Sequence, residues 1–219
     1  MRQSKILGMA ILLAALSGST LGLFFALDLP EVRALEDYVP PVMSVVLAGD
    51  GSFLDDFARQ RRVIVGRERI PTVFIEALIA TEDAHFYGHT GVDVVAIARA
   101  AWSDLKTRRL TQGASTISMQ LARTLFLERS KTLKRKIREV LLALEIERSY
   151  TKEEILLLYC NQIYMGHGRY GLEAASRFYF GKPAIEMDLS EAALLAEYGE
   201  FGSYFCSSWK PGASALKVP

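Results

Sequence analysis

After Arg2 and Lys5, residues 6–27 run for 22 positions without a charged side chain. At about 1.5 Å of rise per residue this stretch forms a helix about 33 Å long, enough to cross a bilayer core of about 30 Å. A cleaved signal peptide carries a shorter apolar region, about 7–15 residues, ahead of a small-residue site. Ala15-Leu16-Ser17 offers such a site, yet the apolar run continues through Leu21, Leu23, Phe24 and Phe25. Residues 6–27 are therefore read as a single transmembrane anchor and residues 1–5 as its tail. Two cations precede it and Asp28, Glu31 and Asp37 follow, so the positive-inside tendency keeps the N-terminus cytoplasmic and puts the body outside the inner membrane.

The body is a folded domain. Half of the 219 residues are hydrophobic and the formal net charge is +1, which excludes a disordered chain. The same charge gives no whole-molecule attraction to nucleic acid. Residues 28–70 read as a linker with short strands: Pro30, Pro40 and Pro41 prevent one continuous helix. A short strand is predicted over 42–47, followed by a turn at Asp50-Gly51 and a return strand over 59–64. From Pro71 onward apolar residues recur at helical spacing, first at Phe74, Leu78 and Ile79, then at Val94, Val95, Ile97 and Ala98. Further helices are predicted over 116–127, 131–149, 152–159, 171–179 and 190–198, the last with Ser190 as its N-cap. The expectation is a mainly α domain over 71–219 behind a short β-hairpin.

Four polar constellations stand out. The first is Glu82-Asp83-Ala84-His85-Phe86-Tyr87-Gly88-His89-Thr90-Gly91, at the end of an apolar helix. Glu82 lies four residues from both Leu78 and Phe86, and apolar neighbours disfavour its charged form, as a carboxylate that takes up a proton requires. His85 and His89 stand four apart, a metal-ligand spacing, but Gly88 ends the helix between them. The second is Gln112-Gly113-Ala114-Ser115-Thr116-Ile117-Ser118-Met119-Gln120-Leu121-Ala122-Arg123, small and hydroxyl residues opening a helix whose N–H groups can face an anion. The third is the basic run from Arg123 to Arg138, followed at once by Glu139, with Arg135 one turn before it. Cations around one acid keep it ionised and suit a phosphate-bearing substrate or an anionic lipid surface. The fourth runs from Lys152 through Tyr159 and Asn161 to the Gly-rich segment at Gly168-Arg169-Tyr170-Gly171 and on to Lys182, and reads as scaffold.

Together and in order, these stretches resemble the motifs of family 51 glycosyltransferases, the peptidoglycan transglycosylase domains of monofunctional enzymes and class A penicillin-binding proteins. The family's E-D-x-x-F-x-x-H-x-G matches Glu82 to Gly91, its G-x-S-T-x-x-Q-Q matches Gly113 to Gln120, and its R-K-x-x-E matches Arg135 to Glu139. K-x-x-I-L-x-x-Y-x-N matches Lys152 to Asn161, and Y-G…A-A…Y-F-G-K matches Tyr170 to Lys182. The resemblance implies a lysozyme-like, mainly α fold that polymerises lipid II into β-1,4-linked glycan with inversion, releasing undecaprenyl pyrophosphate. It makes Glu82 the general base and Glu139, with Arg123, Arg135 and Lys136, the group that steadies the pyrophosphate. Asp83, Phe86 and His89 would shape the site, while Ser115, Thr116, Gln120, Asn161 and Ser203 would contact substrate. A divalent metal such as Mg2+ at the pyrophosphate, with Glu139 as its ligand, is the one cofactor it allows. The implied partners are lipid II, the growing glycan strand, the membrane and other cell-wall synthesis proteins, at a bacterial inner membrane.

Several positions depart from that pattern. Met119 replaces the first Gln of the usual pair, Thr124 an Asn, and Leu157 a Glu, while Glu200 falls where the family commonly has a Lys. These changes suit a second reading, a weakened relative that binds lipid II or the cell-wall machinery without turnover. A third is a lytic transglycosylase that cleaves finished glycan. The resemblance also implies helices beyond Pro219. Ser103-x-x-Lys106 and Ser207-x-x-Lys210 are chance matches to a transpeptidase motif, since no Lys-Thr-Gly follows. Cys160 and Cys206 suit an oxidising compartment, but the apolar neighbours of Cys160 favour a buried free thiol.

Overall fold

The computed structural model describes residues 44–57, 60–107, 115–127 and 132–205. The anchor and residues 28–43 of the linker lie outside them, and among the described residues no helix is long and apolar enough to cross a membrane. The domain is mainly helical, as expected, with two small two-stranded sheets.

Strand β1, Ser44–Leu47, pairs antiparallel with β2, Phe53–Phe57. Gly51 turns the chain at φ +81°, and the Asp50 carboxylate accepts from the Ser52 N–H at 2.9 Å. The return strand thus begins earlier than the predicted 59–64, because a short turn reverses the chain at once and hydrophobic alternation matters less. Arg61–Arg62, inside the predicted strand, forms β3 instead and pairs parallel with β4, Arg169–Tyr170.

Helix α1 covers Thr72–Glu82 and starts at Pro71, whose missing N–H costs a helix start nothing. Helix α2 covers Val94–Thr107. Asp93 opens it by accepting from the Ala96 N–H at 2.8 Å, a bond that holds its carboxyl below the usual range. The apolar spacing in α2 is helical but does not mark a core face, since Val94, Val95 and Trp102 are exposed.

Three threonine caps begin the next three helices. Thr116 caps α3 (Ile117–Phe126), Thr132 caps α4 (Leu133–Ser149), and Thr151 caps α5 (Lys152–Gln162) through a full capping box with Glu154. Gly171 opens α6, Leu172–Phe180. The last helix, α7, runs Leu189–Phe205, seven residues past the predicted end. Its cap is Asp188 rather than Ser190: Asp188 Oδ1 accepts from the Glu191 N–H at 2.9 Å, and Glu191 returns a bond to the Asp188 N–H at 2.9 Å.

Helix α3 lies at the centre, against α4 and α5, while α7 packs on α1. Every residue from Ile117 to Ala122 is buried, so α3 meets neighbours on all sides. The core runs through Phe74, Leu78, Ile117, Leu121, Leu142, Ile146, Ile155 and Leu172. Each such side chain contributes about 1.5–3 kcal/mol on burial.

Gly91 fixes where the loop after α1 meets α4. It sits at φ +100°, and a Cβ there would lie 2.9 Å from the Ala143 carbonyl oxygen. Gly91→Ala therefore combines a left-handed backbone with a clash against backbone. The expected loss is about 2–3 kcal/mol, read as a lower midpoint in denaturant unfolding with an unchanged slope.

Candidate active site

Two adjacent carboxylates at the end of α1 face different surroundings. Asp83 caps the helix and is buried, with its side chain 3% exposed. It accepts from His89 Nε2 at 3.0 Å and from the Ile117 N–H, at the start of α3, at 3.1 Å. His89 Nδ1 in turn accepts from the Gly91 N–H at 3.2 Å, which assigns the ring proton to Nε2. Phe86 is fully buried and meets His89 edge-on. These three residues, expected to shape the site, hold the loop 83–91 against α3.

Glu82 itself is only partly buried. Its Oε2 accepts from Gln120 Nε2 at 2.6 Å, and Gln120 Oε1 accepts from the Tyr159 hydroxyl at 3.1 Å. The tyrosine thereby sets which way the Gln120 amide faces, and the amide sets the carboxylate. Sequence reasoning placed Tyr159 in scaffold. Its signal was present in the K-x-x-I-L-x-x-Y-x-N match, but only the folded chain shows that its hydroxyl reaches α3.

The cationic cluster touches the segment just before α3. Glu139 is fully buried on α4, where it accepts from Arg135 Nη1 at 2.7 Å and Lys136 Nζ at 3.0 Å. Lys136 Nζ also donates to Ser115 Oγ at 2.8 Å. Two cations around one acid leave a net positive charge, and Lys136 is the more exposed of the two. Lys136 thus reaches Ser115, two residues before α3, while Glu82 is held by Gln120 within α3. Thr116 ties its hydroxyl to the Gly91 carbonyl at 2.6 Å, and Arg123 is exposed one turn beyond Gln120.

The other residues expected to contact substrate stand as follows. Asn161 is buried: its Oδ1 accepts from the Val65 N–H, and its Nδ2 donates to the carbonyls of Val65 and Leu157, each at 3.0 Å. It brackets the strand-like segment before α1 onto α5. Ser203 and Glu200 lie in α7, with side chains outside those described. Met119 is buried in the core, and Thr124 donates back to the Gln120 carbonyl at 2.9 Å.

The donor set does not fit a resident divalent cation at Glu139. A hard cation gathers several oxygens, whereas both oxygens of this carboxylate already accept from cations. His85 and His89 also fail to converge, since His85 turns to Asp93 at 3.0 Å and His89 to Asp83. Among the described residues no group of three or more His, Cys, Asp or Glu is placed to hold a metal ion.

Cys160 is a buried free thiol, pushed up to about 12 by desolvation. Cys206 lies outside the described residues. The raised value keeps Cys160 protonated and shielded through neutral and mildly alkaline pH. At pH 8 a Cys206→Ala chain is expected to react with a thiol reagent only as it unfolds. Full labelling of the native protein within minutes would contradict that.

Residues 50–211 match the family model described as "Transglycosylase". The chain is 48% identical over 169 residues to "Penicillin-binding protein 1A" of Aquifex aeolicus, an alignment covering 77% of this chain and 23% of that protein. To the protein of the same name from Escherichia coli it is 45% identical over 188 residues, 85% of this chain and 22% of the relative. The Pseudomonas aeruginosa protein is 43% identical over 181 residues, 83% and 22% respectively. The chain spans less than a quarter of the length of these relatives.

Proposed function

Because the chain belongs to the transglycosylase family, we propose that it is a peptidoglycan glycosyltransferase that polymerises lipid II. The observation that carries this reading is the arrangement along α3. Gln120 in α3 holds the Glu82 carboxylate, and Ser115, just before the helix, holds Lys136 of a net positive cluster around Glu139.

Glu82 is the general base. It takes the proton of the 4-hydroxyl of the incoming sugar as that oxygen attacks the anomeric carbon of the growing chain. The bond to the lipid pyrophosphate breaks on the opposite face, so an α-linked donor yields a β-1,4 linkage. Arg135 and Lys136 stabilise the charge that develops on the departing phosphates, and Glu139 keeps both cations aimed. The two-carboxylate division resembles that of inverting glycosidases, with a sugar hydroxyl in place of water. Gln120 and Tyr159 fix the base before substrate arrives, which lowers the reorganisation the reaction needs.

The lipid substrate places the reaction at a membrane. Residues 6–27 serve as the anchor in the bacterial inner membrane, with the domain on its outer side. Val94, Val95, Trp102 and Leu133, all exposed, offer apolar contact to lipid. The test is incubation of the full chain with lipid II in detergent, followed by separation of glycan from lipid. Glycan polymer with release of undecaprenyl pyrophosphate is expected. Lipid II bound without polymer would favour the non-catalytic reading, and anhydro ends released from finished glycan would favour the lytic one.

A further inference from the structure

Lys152 and Glu147 form a mostly buried ion pair that the proposed reaction does not use, with side chains 19% and 5% exposed and 2.7 Å between charged atoms. Lys152 is the first residue of α5, directly after Thr151. The capping box fixes its position: the Glu154 N–H donates to Thr151 Oγ1 and the Thr151 N–H to Glu154 Oε2. From there Lys152 Nζ donates to the His89 carbonyl at 2.7 Å and lies 4.3 Å above the centre of the Phe86 ring. Glu147, on α4, also accepts from Ser118 Oγ at 2.5 Å, on α3. Lys152 and Glu147 together therefore join the loop that follows Glu82 to α3, α4 and α5.

We propose that Lys152, backed by Glu147, is a positioning residue for Glu82. It holds the His89 backbone so that Nε2–H meets Asp83, and Asp83 in turn locks the end of α1 to the Ile117 N–H. Glu82 is adjacent to Asp83 in the chain, so the direction of its carboxylate follows from that lock. Gln120 reaches it from one side and the Lys152 clamp fixes the backbone from the other. The proposal rests on the lipid II reading for its kinetic consequence, but not for its structural one.

The test uses the full chain with two variants. Lys152→Met keeps an unbranched stem over Phe86 and removes the charge. The double variant Lys152→Met with Glu147→Gln removes both charges, keeps an acceptor for Ser118, and leaves no buried lone carboxylate to prevent folding. Misplacing a catalytic group by about 1 Å can cost on the order of a hundredfold, so kcat for lipid II polymerisation is expected to fall about 10–100-fold, with KM within about twofold. Nitrogen NMR of the His89 ring is expected to change from a single Nε2–H form to a mixture of tautomers. A folded double variant with wild-type kcat and an unchanged His89 signal would overturn the proposal, as would a raised KM at constant kcat. If the wild-type chain forms no polymer, the functional reading fails, while the His89 signal still decides whether Lys152 sets this geometry.

Discussion

Glu82→Gln is expected to lower the rate of lipid II polymerisation by about 10²–10⁴-fold, the usual worth of a positioned general base. Gln cannot take the proton of the sugar hydroxyl, yet its amide oxygen can still accept from Gln120 Nε2, as Oε2 does at 2.6 Å. The loss should therefore appear in kcat, with lipid II binding and thermal stability near wild type. An inactive variant that also unfolds would assign Glu82 to the fold rather than the chemistry. A fully active one would remove it from the mechanism.

Asp83→Ala is expected to damage both stability and activity. The buried carboxylate accepts from His89 Nε2–H and from the Ile117 N–H, and its removal leaves two buried donors without their acceptor. At about 1–3 kcal/mol for each unsatisfied group, the loss is about 2–6 kcal/mol, visible as a lower unfolding midpoint in denaturant. The same change frees the loop 83–91 from α3, so polymerisation should fall even at temperatures where the variant remains folded. Asp83→Asn should recover part of the stability, because its amide oxygen can accept from one of the two donors. Equal midpoints for Asp83→Ala and wild type would show that the bonds to His89 and Ile117 contribute nothing.

The local signals in the sequence were readable where one residue determines the outcome. The small and hydroxyl residues around Thr116 marked the start of α3 to within one residue, and the Asp50-Gly51 turn stands where the pair predicts. The end of α7 was not readable. Gly199 and Gly202 lower helix propensity, yet the helix continues through both to Phe205. The pairing of β3 with β4 was also hidden, because two-residue strands far apart in the chain leave no periodic signal. In the site, the residue types were legible from the motif resemblance, and so was the pairing of Arg135 with Glu139 one turn apart. The bonds that aim them were not. Tyr159 to Gln120, Lys136 to Ser115, and Asp83 to Ile117 each join different parts of the chain. Asn161 is the reverse case: it matches the family's motif, yet its side chain is occupied with Val65 and Leu157.

The most direct measurement follows bound lipid II and glycan polymer in the same sample, for the wild-type chain and for Glu82→Gln. Both are expected to bind lipid II, and only the wild type to convert it to polymer with release of undecaprenyl pyrophosphate. Wild-type protein that binds lipid II and leaves it unpolymerised, or a Glu82→Gln chain that polymerises it at the wild-type rate, would contradict that expectation.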